Sequence, residues 1–91
     1  MNIQFTTRLF KEGRTSIAQA LELYVSSCGG AKDKALANLE DAVRLFLEEA
    51  ERMGTLDQIL DEAGYTRNAG TARRSFIGVQ TVSVPLTHAK T

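Results

Sequence analysis

Residues 24–50 read YVSSCGGAKDKALANLEDAVRLFLEEA, and this stretch decides the fold. A short strand-like run ends at Cys28-Gly29-Gly30, and an amphipathic helix follows almost at once. Leu36, Leu39, Val43, Phe46, Ala50 and Met53 recur at spacings of three and four, joined by Ala35, Ala42 and Leu47. That spacing predicts a long helix with one apolar stripe. The other face carries Lys34, Asn38, Asp41, Arg44, Glu48 and Glu51. Gly54 is placed to end the helix in the left-handed conformation. Thr55 and Gln58 then form a capping-box pattern before a short second helix, which presents Leu56, Ile59, Leu60 and Ala63 and stops at Gly64.

A glycine joint between strand and helix can cradle a phosphate, carry a reactive thiol or simply turn the chain. A phosphate loop needs Gly-x4-Gly-Lys-Ser/Thr, so that backbone amides, a lysine and a hydroxyl converge on the anion. Gly29-Gly30-Ala31-Lys32-Asp33 lacks that spacing and puts a carboxylate where phosphate would be repelled. Cys28 has no histidine base within reach along the chain, since the sole histidine is His88 near the C-terminus. The reading is a half-buried structural cysteine and a pair of glycines that allow a tight reversal.

Outward from this stretch, Ile3, Phe5, Thr7 and Leu9 alternate with Gln4, Thr6 and Arg8, which predicts a strand over 2–10. Residues 11–13 (KEG) form a turn, 14–20 the return strand despite its alanines, and 23–27 a third strand. Residues 66–75 have turn residues and exposed arginines without a period, so they read as a basic loop. Residues 76–86 are strand-like, but the phase slips: Ile77 and Val79 share one face, Val82 and Val84 the other. A bulge near Gln80-Thr81, or a strand continuing onto a neighbouring molecule, accounts for the slip. Pro85 fits only a strand end or an edge. The fold class is therefore α+β: a three-stranded antiparallel sheet with one long and one short helix on one face, and a C-terminal strand (β-β-β-α-α-β). The division is a core over 1–65, the loop 66–75, the strand 76–86 and a frayed tail 87–91.

Basic and acidic residues balance at eleven each, but unevenly along the chain. Residues 32–62 hold four basic and nine acidic side chains, while 63–91 hold four basic and no acidic ones. An acidic helical middle and a basic tail suit charge-complementary docking. At 91 residues the domain buries a thin core, so self-association would help it. No window approaches the ~20 apolar residues of a membrane span. The first ten residues lack a charged region followed by an apolar core, and one cysteine makes no internal disulfide. The expected compartment is the cytoplasm, with no membrane partner.

A metal-dependent nuclease would need acids converging from strands and a helix. The strands over 2–10, 14–20 and 76–84 contain none, so the expectation is no enzyme, no metal and no cofactor. Arg67, Arg73, Arg74 and Lys90 are sparse for a phosphate track.

Residues 3–65, most clearly 20–65, and more loosely 76–86, resemble the HicB-like antitoxin family of bacterial toxin–antitoxin systems. The likeness rests on the turn Glu12-Gly13, Glu22-Leu23, the strand end Val25-Ser26-Ser27-Cys28-Gly29, and the helix pattern Ala35-Leu36, Asn38-Leu39-Glu40, Ala42-Val43, Leu47-Glu48. The closing Gly54-Thr55-Leu56 and Glu62-Ala63-Gly64-Tyr65 look like a short form with no appended DNA-binding domain. The proline usual before Glu-Leu is Leu21 here, and the net charge is zero where such antitoxins are often acidic. The resemblance implies a partial RNase H-like fold without the nuclease carboxylates. It also implies assembly into dimers or tetramers, and neutralisation of a HicA-type toxin, a small basic mRNA-cleaving protein. By that likeness Asp41, Glu48, Glu51, Asp57, Asp61 and Glu62 are the expected toxin-facing acids. Arg73 and Arg74 are the expected second contact, to a neighbouring copy or to nucleic acid. The alternatives are a small oligomeric nucleic-acid-binding protein and an orphan homo-oligomeric scaffold.

Overall fold

The computed structural model describes residues 1–86, and the tail 87–91, with His88 and Lys90, lies outside the described residues. The chain runs β1 (Asn2–Ile3), β2 (Thr7–Glu12), β3 (Thr15–Ala20), β4 (Val25–Gly29), α1 (Lys32–Met53), α2 (Leu56–Glu62), β5 (Thr66–Asn68) and β6 (Thr71–Arg73). It is α+β, with the three strands β2-β3-β4 antiparallel and a second small sheet β1-β6-β5 beside them.

A two-residue loop sets the first hairpin, while four residues, Leu21 to Tyr24, join β3 to β4. Glu12 pairs with Thr15 across Gly13-Arg14, where only Gly13 has positive φ, at 63°. Glycine alone takes that first position without cost, and the resulting turn twists with the strands. Because Glu12–Thr15 closes the loop, Arg8, Phe10 and Glu12 turn their backbone groups toward β3 and Thr7, Leu9 and Lys11 turn theirs outward.

β3 buries Ser16, Ala18 and Ala20 against α1, which lies across β3 and β4. The alanines that weaken its strand signal are what let the helix come close. Leu39 and Val43 of α1, Leu60 of α2, Tyr65 and Ala72 complete the core. α1 ends at Gly54, with φ 78°, as the left-handed cap requires. Phe46 and Met53 share the predicted stripe but stay open to solvent, because α1 lies over β3 and β4 and leaves them uncovered.

The opening glycines divide their roles. A Cβ on Gly29 would meet the Ala35 backbone nitrogen at 2.8 Å, whereas one on Gly30 would meet nothing within 4 Å. Gly29 is there because β4 ends hard against the first turn of α1. Cys28 is exposed, not half-buried, since alternation turns it to the face of β4 away from α1. The side chain of Thr55 makes no cap bond to α2; its hydroxyl donates back to the Ala50 carbonyl instead (3.3 Å).

The C-terminal third differs most from the sequence reading. The loop expected at 66–75 contains a hairpin, Thr66–Asn68 against Thr71–Arg73, closed by Ala69-Gly70 with φ 52° and 81°. Two successive positive values make a type I′ turn, the hairpin form that matches strand twist. β6 returns parallel to β1, with Asn2 opposite Thr71 and Ile3 opposite Ala72. The strand expected at 76–86 is absent: these residues have no regular structure and are all exposed. The late strand thus exists as β6, beginning at Thr71 instead of residue 76 and lying in a polar segment. The expected strand over 2–10 is also split, being interrupted at residues 4–6.

Candidate protein-interaction surface

The interruption at 4–6 has a side-chain cause. Asn2 N–H donates to the Gly70 carbonyl (2.8 Å) and Gln4 N–H to that of Ala72 (2.9 Å). The next parallel rung would join Arg74 N–H to the Gln4 carbonyl and Thr6 N–H to the Arg74 carbonyl. Instead the Tyr65 hydroxyl donates to the Gln4 carbonyl (2.6 Å) and Thr6 N–H donates to Glu22 Oε1 (2.8 Å). The Thr6 hydroxyl donates to Glu22 Oε2 (2.9 Å). Two side chains thereby end the ladder, and the chain leaves the sheet after Arg73.

Both are buried: Glu22 is 3 % and Tyr65 5 % exposed. Burial pushes the Tyr65 phenol up to about 12, the nearby Glu22 carboxylate adds to the rise, and Arg74 opposes it. Outside the family resemblance, Glu22 signals itself in sequence as a charge between Leu21 and Leu23.

An open groove runs between α1 and β1. Ile3, Phe5, Val43, Leu47 and Leu56 give it an apolar floor, and Glu40, Arg44, Glu48 and Glu51 rim it from α1, three acids to one base. α1 creates it by sitting over β3 and β4, which leaves the β1 side uncovered.

The expected site acids do not form one patch. Glu48 and Glu51 stand on the groove, together with Glu40, which is not among the expected acids. Asp41 is one helical turn from Arg44 and pairs with it at 2.8 Å. Asp57 and Asp61 both hold Arg67, at 3.1 Å each, and so clip α2 to β5. Glu62 accepts from Gln58 (3.2 Å). Arg73 is exposed on β6. Arg74 donates to the Ala63 carbonyl (3.4 Å) and lies 5.1 Å over the Phe76 ring. Only Glu48 and Glu51 of the six acids therefore share a surface with apolar ground beside them.

A second feature lies at the far side of the trio. Tyr24 is 91 % exposed with φ 57°, a left-handed conformation that a bulky residue rarely takes. It adjoins Arg8, Gln19 and Ser26.

Among the described residues no group of three His, Cys, Asp or Glu side chains is placed to hold a metal ion. Among the same residues no helix is long and apolar enough to cross a membrane. Comparison with family models, with curated proteins and with solved structures finds no match.

Proposed function

We propose that the chain is a non-catalytic, antitoxin-like subunit of the HicB-like kind, which binds a small basic HicA-type toxin and stops mRNA cleavage by covering it. The observation that carries this reading is the groove: an apolar floor rimmed by Glu40, Glu48 and Glu51, with the one rim cation from α1, Arg44, paired to Asp41. Such a surface suits a basic partner that also buries apolar side chains, with the charges setting encounter rate and partner choice. The order of elements supports it too. Three antiparallel strands are followed by a long helix and by a late strand, β6, that returns beside β1 in the second small sheet, an order akin to the β-β-β-α-β that the family resemblance implies. The nucleic-acid alternative gains little, since Arg67 is held by two aspartates and Arg74 by a carbonyl and a ring.

Capture from native lysate tests the proposal. The unmodified chain is expected to retain a small basic protein in mild salt, and the double variant Glu48→Lys/Glu51→Lys to lose it. Recovery of nucleic acid in place of protein, with binding that falls steeply as salt rises, would transfer the chain to the alternative class.

A further inference from the structure

The segment Arg74–Leu86 has the composition of a strand and none of the pairing. Phe76, Ile77, Val79, Val82, Val84 and Leu86 are exposed, Val79 at 88 %. No residue from Ser75 to Leu86 is charged, and among the described residues none of their backbone groups has a hydrogen-bond partner. An uncharged, β-branched, unpaired segment of this kind is a liability unless something covers it.

Its own sheet does not take it, because Tyr65 and Glu22 occupy the Gln4 and Thr6 backbone groups where the next rungs would form. The arm projects from the body as a result. The radius of gyration is 16.4 Å, against about 12 Å for a compact chain of this length.

The fold offers one matching open edge. The outward backbone groups of Thr7, Leu9 and Lys11 on β2 have no partner among the described residues. The opposite edge of the sheet, β4, is partly occupied: Asn38 of α1 donates to the Cys28 carbonyl (2.8 Å). β2 is six residues long, and Gly78 and Pro85 bracket a run of equal length, Val79–Val84. Pro85 has no N–H to give, so pairing would stop there. β2 has an exposed apolar residue on each face, Leu9 on the helix side and Phe10 on the other, where Phe10 aligns with Ile17 and Cys28 across the strands. The arm likewise carries apolar residues on both faces, and its lack of charge meets no repulsion from Arg8 or Lys11.

We infer that the chain assembles by arm exchange: Val79–Val84 of one copy adds as a strand to the open edge of β2 in a second copy, with Glu22 and Tyr65 as the positioning residues that direct the arm outward. Each copy gives one arm and accepts one, and reciprocal exchange about a two-fold axis closes the contact on two chains. This carries the expected self-association to named residues on the β2 edge, whose Thr7 end adjoins the groove at Phe5 and Glu40, and it does not depend on the toxin.

Sedimentation of the purified chain alone tests it. The unmodified chain is expected at the mass of two copies. Lys11→Pro, which removes one outward N–H and leaves the β3 ladder intact, is expected at the mass of one. Val82→Asp/Val84→Asp in the full chain is expected to do the same through the other partner. An equimolar mixture of the two variants is then expected to recover a two-chain species, because one sound arm meets one sound edge. Thr7→Pro replaces Lys11→Pro if the latter loses its helical circular dichroism. A single-chain mass for the unmodified protein, a two-chain mass for either variant alone, or no recovery on mixing would overturn the inference. Since no toxin is present, such a result would leave the proposed function standing, and failed toxin capture would leave arm exchange standing.

Discussion

Thr66–Arg73 and Val79–Val84 invert what their compositions suggest. The first is polar, basic and short of apolar alternation, yet it forms a hairpin and joins the sheet through β6. The second is rich in valine and stays unpaired. Strand propensity measures how well side chains suit a pleated, half-buried surface; it does not supply that surface. The hairpin has a tight turn at Ala69-Gly70, a small residue, Ala72, that is fully buried, and a free neighbour in β1. The arm has none of these within its own chain.

The largest expected contrast comes from truncating one side chain in each region. Leu39 is 0 % exposed, and Leu39→Ala should cost about 2–5 kcal/mol, which in a domain of this size lowers the melting midpoint by roughly 10 °C or more. Val82→Ala, in dilute protein, should stay within about 0.5 kcal/mol. Equal losses at the two sites would place the arm inside the folded body.

Alkali probes the device that separates the two regions. The fold favours the neutral Tyr65 phenol, raised from 10.0 to about 12. Its contribution is therefore intact below pH 10 and is lost as the pH climbs toward 12, on the order of 3 kcal/mol in all. Chemical denaturation across that window should show the decline. Tyr65→Phe should remove this part of the decline, at a cost of about 1 kcal/mol at neutral pH for the lost bond to Gln4.

Smaller effects belong to the turns. Gly29→Ala should destabilise by about 1–3 kcal/mol, because the Ala35 backbone cannot yield, while Gly30→Ala should be close to neutral. Ala69 pays for a left-handed conformation that asparagine adopts readily before glycine, so Ala69→Asn should stabilise the hairpin by about 1 kcal/mol. Thermal midpoints of the three variants would order them.

Much of the trio and the helices was legible in the sequence. Alternation located β3 within a residue, three-and-four spacing located α1, and Gly54 takes the positive φ expected of it, whereas β2 begins only at Thr7 and runs on through Lys11 and Glu12, which were expected in the turn. The split of the first strand was not legible, because it depends on Glu22 and Tyr65, 16 and 61 residues from their backbone partners. Nor was the hairpin, whose turn rests on an alanine in an unusual conformation. For the site, the residues of the acidic face were readable from charge, but their dispersal was not: Arg67 takes two of them, and α1's position over the sheet decides which others border apolar ground.

The central claim is that this chain acts by covering a basic partner, with Glu48 and Glu51 on the covering surface. Its most direct test is mRNA cleavage by a HicA-type toxin from the same genome, titrated with the purified chain. Cleavage should fall to background near stoichiometric addition and persist when Glu48→Lys/Glu51→Lys is added instead. Cleavage that continues unchanged in excess unmodified chain would contradict the account.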